Sequence, residues 1–408
     1  MTLKKISGGV TAPKGFKAAG VHCGIRKNSE KMDLALILAD EPCAAAVTYT
    51  KNLVKAAPVH LTKINMAKNN GYARAVFANS GNANACALND TENAIAMCAA
   101  LAEAAGIKTE EIIVNSTGVI GQELPIEKIK AAAPKIVASL NADGGSEAAA
   151  AIMTTDLTKK EIAISFELCG KTVRIGAMAK GSGMIAPNMA TMLAFVTTDC
   201  SISPKMLSCA LSDSVKRSYN RISVDGDVST NDMAAVLASG AAKNEMIVSE
   251  CENYKKFCFA LDHVNKYLAI EIARDGEGAK KLITCRVTGA ANDTAAEILS
   301  MSVINSSLVK TMMAGADANF GRVLCAMGYS GASFDTSKAD IKFSSQAGEI
   351  LVCKNGKGLA FDETLAKDVL TSGEITIGCS LGDGEGEAEA FGCDLTAEYV
   401  KINGDYRS

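Results

Sequence analysis

Tryptophan is absent from this chain, histidine occurs only at His22, His60 and His263, and proline only seven times. With no Trp and an aromatic share of 5%, the chain offers no platform on which successive nucleobases could stack. A formal net charge of −3 leaves neither a basic footprint for nucleic acid nor a polybasic patch for a membrane surface. The fourteen cysteines include no C-x-x-C pair and have no histidine cluster beside them, so no metal site is expected. They are expected instead as small buried hydrophobes in a reducing compartment. No stretch approaches the roughly eighteen apolar residues of a membrane span, and Met1 to Val10 lacks the apolar core of a signal peptide. The expected compartment is the cytoplasm. Phosphate-loop, G-x-S-x-G and H-E-x-x-H motifs are missing as well. Asp225-Gly226-Asp227 opens like a calcium loop, but Thr230 stands where that loop requires glycine, and the segment reads as a turn.

What is present is a chain of 408 residues, 48% of them apolar, enough for two or three ordinary domains or one large layered unit. Helical spacing marks Thr91 to Ala105, with Asp90 or Thr91 as cap, Gly106 as stop, and Ile95, Cys98, Leu101 and Ala102 on the apolar face. Ile126 to Leu140 is helical around Pro134, which is expected to kink or split it. A short Ala-rich helix spans Gly145 to Met153. Alternation then predicts a hairpin of Glu161–Leu168 and Lys171–Gly176. Pro204 to Tyr219 reads as a helix capped by Ser203. Glu252 to Ala273 follows as a helix that could turn to strand near Leu268, then a strand from Lys281 to Val287 and one helix from Thr294 to Met312. The tail reads as β: Ile341–Phe343, Ile350–Val352, Glu374–Ile377 and Tyr399–Ile402. Asp143–Ser146 and Gly382–Gly386 read as surface loops. Without a strict βαβ rhythm, the pattern fits a mixed α+β or layered α/β architecture.

The segment richest in chemical meaning is Lys180-Gly181-Ser182-Gly183-Met184-Ile185-Ala186-Pro187-Asn188-Met189-Ala190-Thr191, followed by the apolar run Met192 to Val196. Its glycines and proline allow a strained, exposed peptide just before a strand. A threonine after a glycine loop is ordinarily just a strand residue. If the Ala190–Thr191 bond breaks, however, Thr191 carries a hydroxyl and a free α-amine on adjacent atoms, a nucleophile with its own base.

This run resembles the autocleavage signature of the ornithine acetyltransferase family, the bifunctional arginine-biosynthesis acetyltransferases. The resemblance extends along nearly the whole chain. It includes Ala78–Cys86, an Asn/Gly-rich motif, and Asn115-Ser116-Thr117-Gly118-Val119-Ile120-Gly121, similar to the family's oxyanion loop. Met153–Asp156, Asn220–Asp227, Asp275–Ala279 and Asn403–Ser408 match further motifs. Ala318 and Phe320 stand where Pro and Trp are expected, and Val228 where Thr is expected. These departures bear on local packing rather than on the chemistry.

The resemblance implies self-cleavage into a fragment 1–190, carrying the oxyanion loop, and a fragment 191–408 that begins with the nucleophile. Two copies of each would form a heterotetramer. It implies Thr191 as nucleophile and Thr117 and Gly118 as the oxyanion hole, and a hydroxyl beside a glycine N–H suits that task. Thr154, Lys180, Thr191, Glu277, Asn403 and Ser408 are implied around the substrate. Lys180 could pair with a carboxylate and Glu277 with an ammonium. The implied reaction moves an acetyl group from N-acetylornithine to glutamate with no cofactor or metal, and acetyl-CoA is a candidate second donor. Two alternatives stand beside it: a self-cleaving aminopeptidase or amidase of the N-terminal-nucleophile type, and a non-enzymatic binding protein.

Overall fold

The computed structural model describes residues 1–186 and 192–405. Two mixed sheets with helices packed on them make up a mixed α/β architecture, in two compact units. The first unit comprises Met1–Gly181, Asn188–Asn220 and Asp227–Leu268; the second comprises Ser182–Pro187, Arg221–Gly226 and Ala269–Ser408.

The nine-stranded sheet of the first unit is buried on both faces. Along Leu34–Tyr49, Leu34 and Leu36 point into one core with Met97, Leu101, Ile129 and Ile136. Their neighbours Ala35 and Ile37 point into another with Ala148, Ile152, Met178 and Phe195. Phe77 and Val76, and Val114 and Ile113, divide in the same way. This is the two-residue period of a strand between two apolar layers. At the sheet's centre, Leu193–Thr198 lies antiparallel to Lys171–Lys180 and parallel to Met233–Ala238.

In the second unit, a seven-stranded sheet that includes Leu282–Ala290 and Glu374–Ser380 packs against the helices Asp293–Asn305, Ser307–Ala314, Phe320–Gly328 and Glu363–Thr371. Ala318 and Phe320, two of the three departures noted above, pack against that core.

Several sequence expectations need correction. Tyr399–Ile402 is not a strand but part of the helix Ala397–Gly404. A Glu398–Lys401 pair three residues apart (2.6 Å) supports it, and Val400 is 70% exposed, so β propensity has no sheet face to act on. No strand interrupts Glu252–Arg274, which stays helical throughout. The span 294–312 is two helices, because extended Ser306 ends the first and caps the second through Val309 N. Asn89 rather than Asp90 or Thr91 precedes the helix Asp90–Ala105, and Ile95 faces solvent. Pro134 sits inside the continuous helix Ile126–Ala138. Gly144 and Gly145 are buried rather than in a surface loop. Seven cysteines are buried, but Cys86, Cys169, Cys209, Cys251 and Cys325 are exposed. No helix among the described residues is long and apolar enough to cross a membrane.

Candidate active site

In the first unit, Tyr72–Asn82 and Ile112–Val119 run parallel, and their ends bring Gly81 against Gly118. Thr117 and Gly118 are therefore the last turn of a strand, half-buried rather than in a free loop. Gly118 has φ +134°, and a Cβ there would sit 2.3 Å from Gly81 C and 2.5 Å from Asn82 N. Backbone on that side cannot retreat, so only glycine fits. The Asn-rich motif supplies the polar lining beneath. Ser116 Oγ donates to Asn79 Oδ1 (2.6 Å), and Asn79 Nδ2 donates to Asn82 O (2.9 Å).

A second cluster of the same unit centres on Asp156. Its carboxylate accepts Lys160 Nζ (2.7 Å), Gly181 N (2.7 Å) and the Thr154 backbone N–H (2.9 Å). Lys160 and Lys180 are themselves buried. Burial alone would raise the Asp156 carboxyl, but the Lys180 and Lys160 charges and the Gly181 N–H outweigh it and hold its pKa at about 2. Thr154 and Lys180, implied together around the substrate, thus share one buried anion. Asp156 itself lay in a recognised motif without a role. Its four-residue spacing from Lys160 is no signal by itself, because that segment is a loop entering the strand Lys160–Leu168 rather than a helix. Lys180 also pairs with Leu193, two residues after Thr191 in the chain.

The second unit gathers Glu277 and Asn403. Glu277 is buried, donates its N–H to Ser182 O (3.0 Å) and accepts Asn403 Nδ2 at Oε2 (2.7 Å). A Cβ on Gly183 would lie 2.2 Å from Glu277 Cδ, so the glycine makes room for the carboxylate. Asp225, read from sequence as a plain turn residue, accepts Met184 N (2.5 Å), Ile185 N (2.7 Å) and the Tyr399 hydroxyl (3.1 Å). Met184 is held at φ +57°, a left-handed conformation that costs a non-glycine residue about 1–2 kcal/mol. Ala190, Thr191 and Ser408 lie outside the described residues. Among the described residues no group of three or more His, Cys, Asp or Glu could hold a metal ion.

Buried charges held by several hydrogen bonds each, and a strand end that only glycine can occupy, are features of an enzyme of mixed α/β fold. The ArgJ family model matches residues 17–408. The chain is 50% identical to the arginine biosynthesis bifunctional protein ArgJ 1 of Clostridium acetobutylicum, over 96% of each chain. It is also 50% identical to the arginine biosynthesis bifunctional protein ArgJ of Symbiobacterium thermophilum, over 99% of each. The crystal structure of the arginine biosynthesis bifunctional protein of Bacillus halodurans is 45% identical, with a TM-score of 0.50, over 52% of this chain and 99% of that one. The chain belongs to the ArgJ family.

Proposed function

We propose that this enzyme transfers the acetyl group of N-acetylornithine to glutamate in arginine biosynthesis, through an acetyl ester on Thr191. The observation that carries this reading is identity of 50% over almost the full length to arginine biosynthesis bifunctional proteins. It favours the transferase over the hydrolase and the binding protein. Maturation begins with Thr191 Oγ attacking the Ala190 carbonyl carbon. The acyl group shifts from nitrogen to oxygen, and water hydrolyses the ester, leaving a carboxylate on Ala190 and a free amine on Thr191.

In catalysis Thr191 Oγ attacks the acetyl carbonyl while its α-amine takes the proton; such an amine titrates at about 7.7–8.0. The Thr117 hydroxyl and Gly118 N–H receive the oxyanion. The amine of ornithine leaves with the proton, and the amine of glutamate then attacks the acetyl ester. Lys180, whose cation is already buried, takes a substrate carboxylate, and Glu277 takes the substrate ammonium; Thr154, Asn403 and Ser408 are the further substrate contacts. Neither metal nor cofactor enters these steps.

The word bifunctional in the relatives' names supports acetyl-CoA as a second donor. Fragments 1–190 and 191–408, two of each, form the working assembly, in the cytoplasm. The test is a donor and acceptor panel with purified enzyme, pairing N-acetylornithine or acetyl-CoA with glutamate or water. Release of ornithine that requires glutamate is the expected result; equal release with water alone would make the protein a hydrolase.

A further inference from the structure

We infer that Asn231 is a positioning residue that holds the oxyanion donors in register with the strand that starts beside the nucleophile. The inference rests on the acyl-transfer reading above and adds a residue to it.

Asn231 is 4% exposed, and its Nδ2 donates both to Ser116 O (2.8 Å) and to Ala83 O (2.6 Å). Its own carbonyl accepts Asn115 Nδ2 (3.0 Å), and Asn115 Oδ1 in turn accepts Ser116 N (2.7 Å). Both amide protons therefore go to carbonyls, while Oδ1 accepts the Thr230 hydroxyl. The assignment of nitrogen and oxygen admits one answer, since a flipped amide would set its oxygen against two carbonyl oxygens.

The consequence lies in which peptide is held. Ser116 O belongs to the peptide that joins Ser116 to Thr117, so holding that plane holds the Thr117 Cα, from which both the hydroxyl and the peptide carrying the Gly118 N–H project. Two residues beyond Asn231, Met233 N donates to Met192 O (3.1 Å), and Met233 pairs with Leu193. Met192 directly follows Thr191 in the chain. One short segment, Asn231 to Met233, thus touches the oxyanion strand with a side chain and the nucleophile strand with its backbone. Thr50 N to Asp232 O (3.0 Å) and Ala56 N to Thr230 O (2.9 Å) anchor that segment. Donors must be placed to within a fraction of an ångström to act on a transition state, and a misplacement of about 1 Å can cost on the order of 10²-fold.

The experiment compares Asn231→Asp, Thr117→Ala and the double variant with the parent enzyme, all on the fully cleaved fraction. Asn231→Asp replaces the amide protons with a carboxylate oxygen facing two carbonyls. It is expected to lower kcat roughly 10²-fold with KM changed less than about threefold, and Thr117→Ala added to it should cost far less than it does alone. A slower self-cleavage with an unchanged melting temperature supports the same role, because maturation passes through the same oxyanion. Ile377→Ala, a cavity in the second sheet, is the stability control; an equal kcat loss there at equal destabilisation would overturn the inference. So would a kcat within threefold of the parent in Asn231→Asp while Thr117→Ala is impaired, or losses that simply multiply. A normal Thr117→Ala enzyme would instead overturn the acyl-transfer assignment of that strand, and this inference with it. If Asn231→Asp does not fold, Asn231→Ala takes its place, and failure of both to fold makes Asn231 a keystone of the fold only and overturns the inference.

Discussion

The side-chain amide of Asn403 donates to Glu277 Oε2 at 2.7 Å, joining a residue near the end of the chain to a buried carboxylate in a glycine-flanked loop. Hydrogen bonds to charged groups contribute about 1.5–3 kcal/mol. On the proposed role of Glu277 as partner of the substrate ammonium, Asn403→Ala should raise KM for N-acetylornithine roughly tenfold while kcat falls less, because a misplaced carboxylate weakens bound substrate and transition state alike. Steady-state kinetics on cleaved enzyme checks the split; a kcat loss at constant KM would place Asn403 in the chemical step instead.

Asp156 links charge to stability. Its folded-state pKa of about 2 lies below the ordinary aspartate value of 3.8, so the charged form is stabilised by the fold. The contribution is fully present above about pH 4, is lost as pH falls through about 2, and is on the order of 2 kcal/mol. Asp156→Asn should remove that part of the acid-unfolding curve and cost about 3–5 kcal/mol at neutral pH, because Lys160 and Lys180 stay buried without their anion. Urea melts at pH 7 and pH 3 measure both effects. Equal destabilisation of the variant at the two values would refute the linkage.

Gly118→Ala places a methyl group against the Gly81–Asn82 backbone at a positive φ. The strand ends must separate or the residue must change conformation, a strain of roughly 1–3 kcal/mol, with kcat falling at least as far as in Thr117→Ala. A variant with parental kcat and melting temperature would show that the close approach is not needed.

For self-cleavage, N-terminal sequencing of the larger chain should read Thr191-Met192-Leu193, and Thr191→Ala should remain one uncut chain. Thr191→Ser should still cut, since it keeps the hydroxyl and loses only the methyl that stiffens χ1. Continued cutting of Thr191→Ala would move the nucleophile elsewhere.

Local chemistry was legible where one short segment dictates its own structure. The hairpin Lys160–Leu168 with Lys171–Lys180, the Ser203 cap at Met206 N and the Gly106 helix stop with φ +65° all follow from adjacent residues. The buried strands Leu34–Tyr49 and Met233–Ala238 were not legible, because apolar runs packed on both faces carry no alternation. Tyr399–Ile402 misled because its β-branched and aromatic residues report a propensity that only a sheet neighbour could realise. Of the site, residue types were visible in the motifs. The Asp225 anchor and the Asn231 clamp were not, since each draws its partners from segments far apart in the chain, and the Asp156 hub was not, since Gly181 and Lys180 reach it from the end of a later strand.

The segment Ser182–Pro187 belongs to the second unit, although on the proposed cleavage it is the tail of the fragment 1–190. Ser182 Oγ donates to Asp275 O (2.6 Å), and Val224 N donates to Ile185 O (2.6 Å), so a cut at 190 leaves this tail stitched into residues of the other fragment. The mature enzyme is then two molecules bound as one. Its unfolding becomes a dissociation whose midpoint rises with protein concentration, and its refolding becomes a bimolecular search for a partner that the uncut chain carried with it.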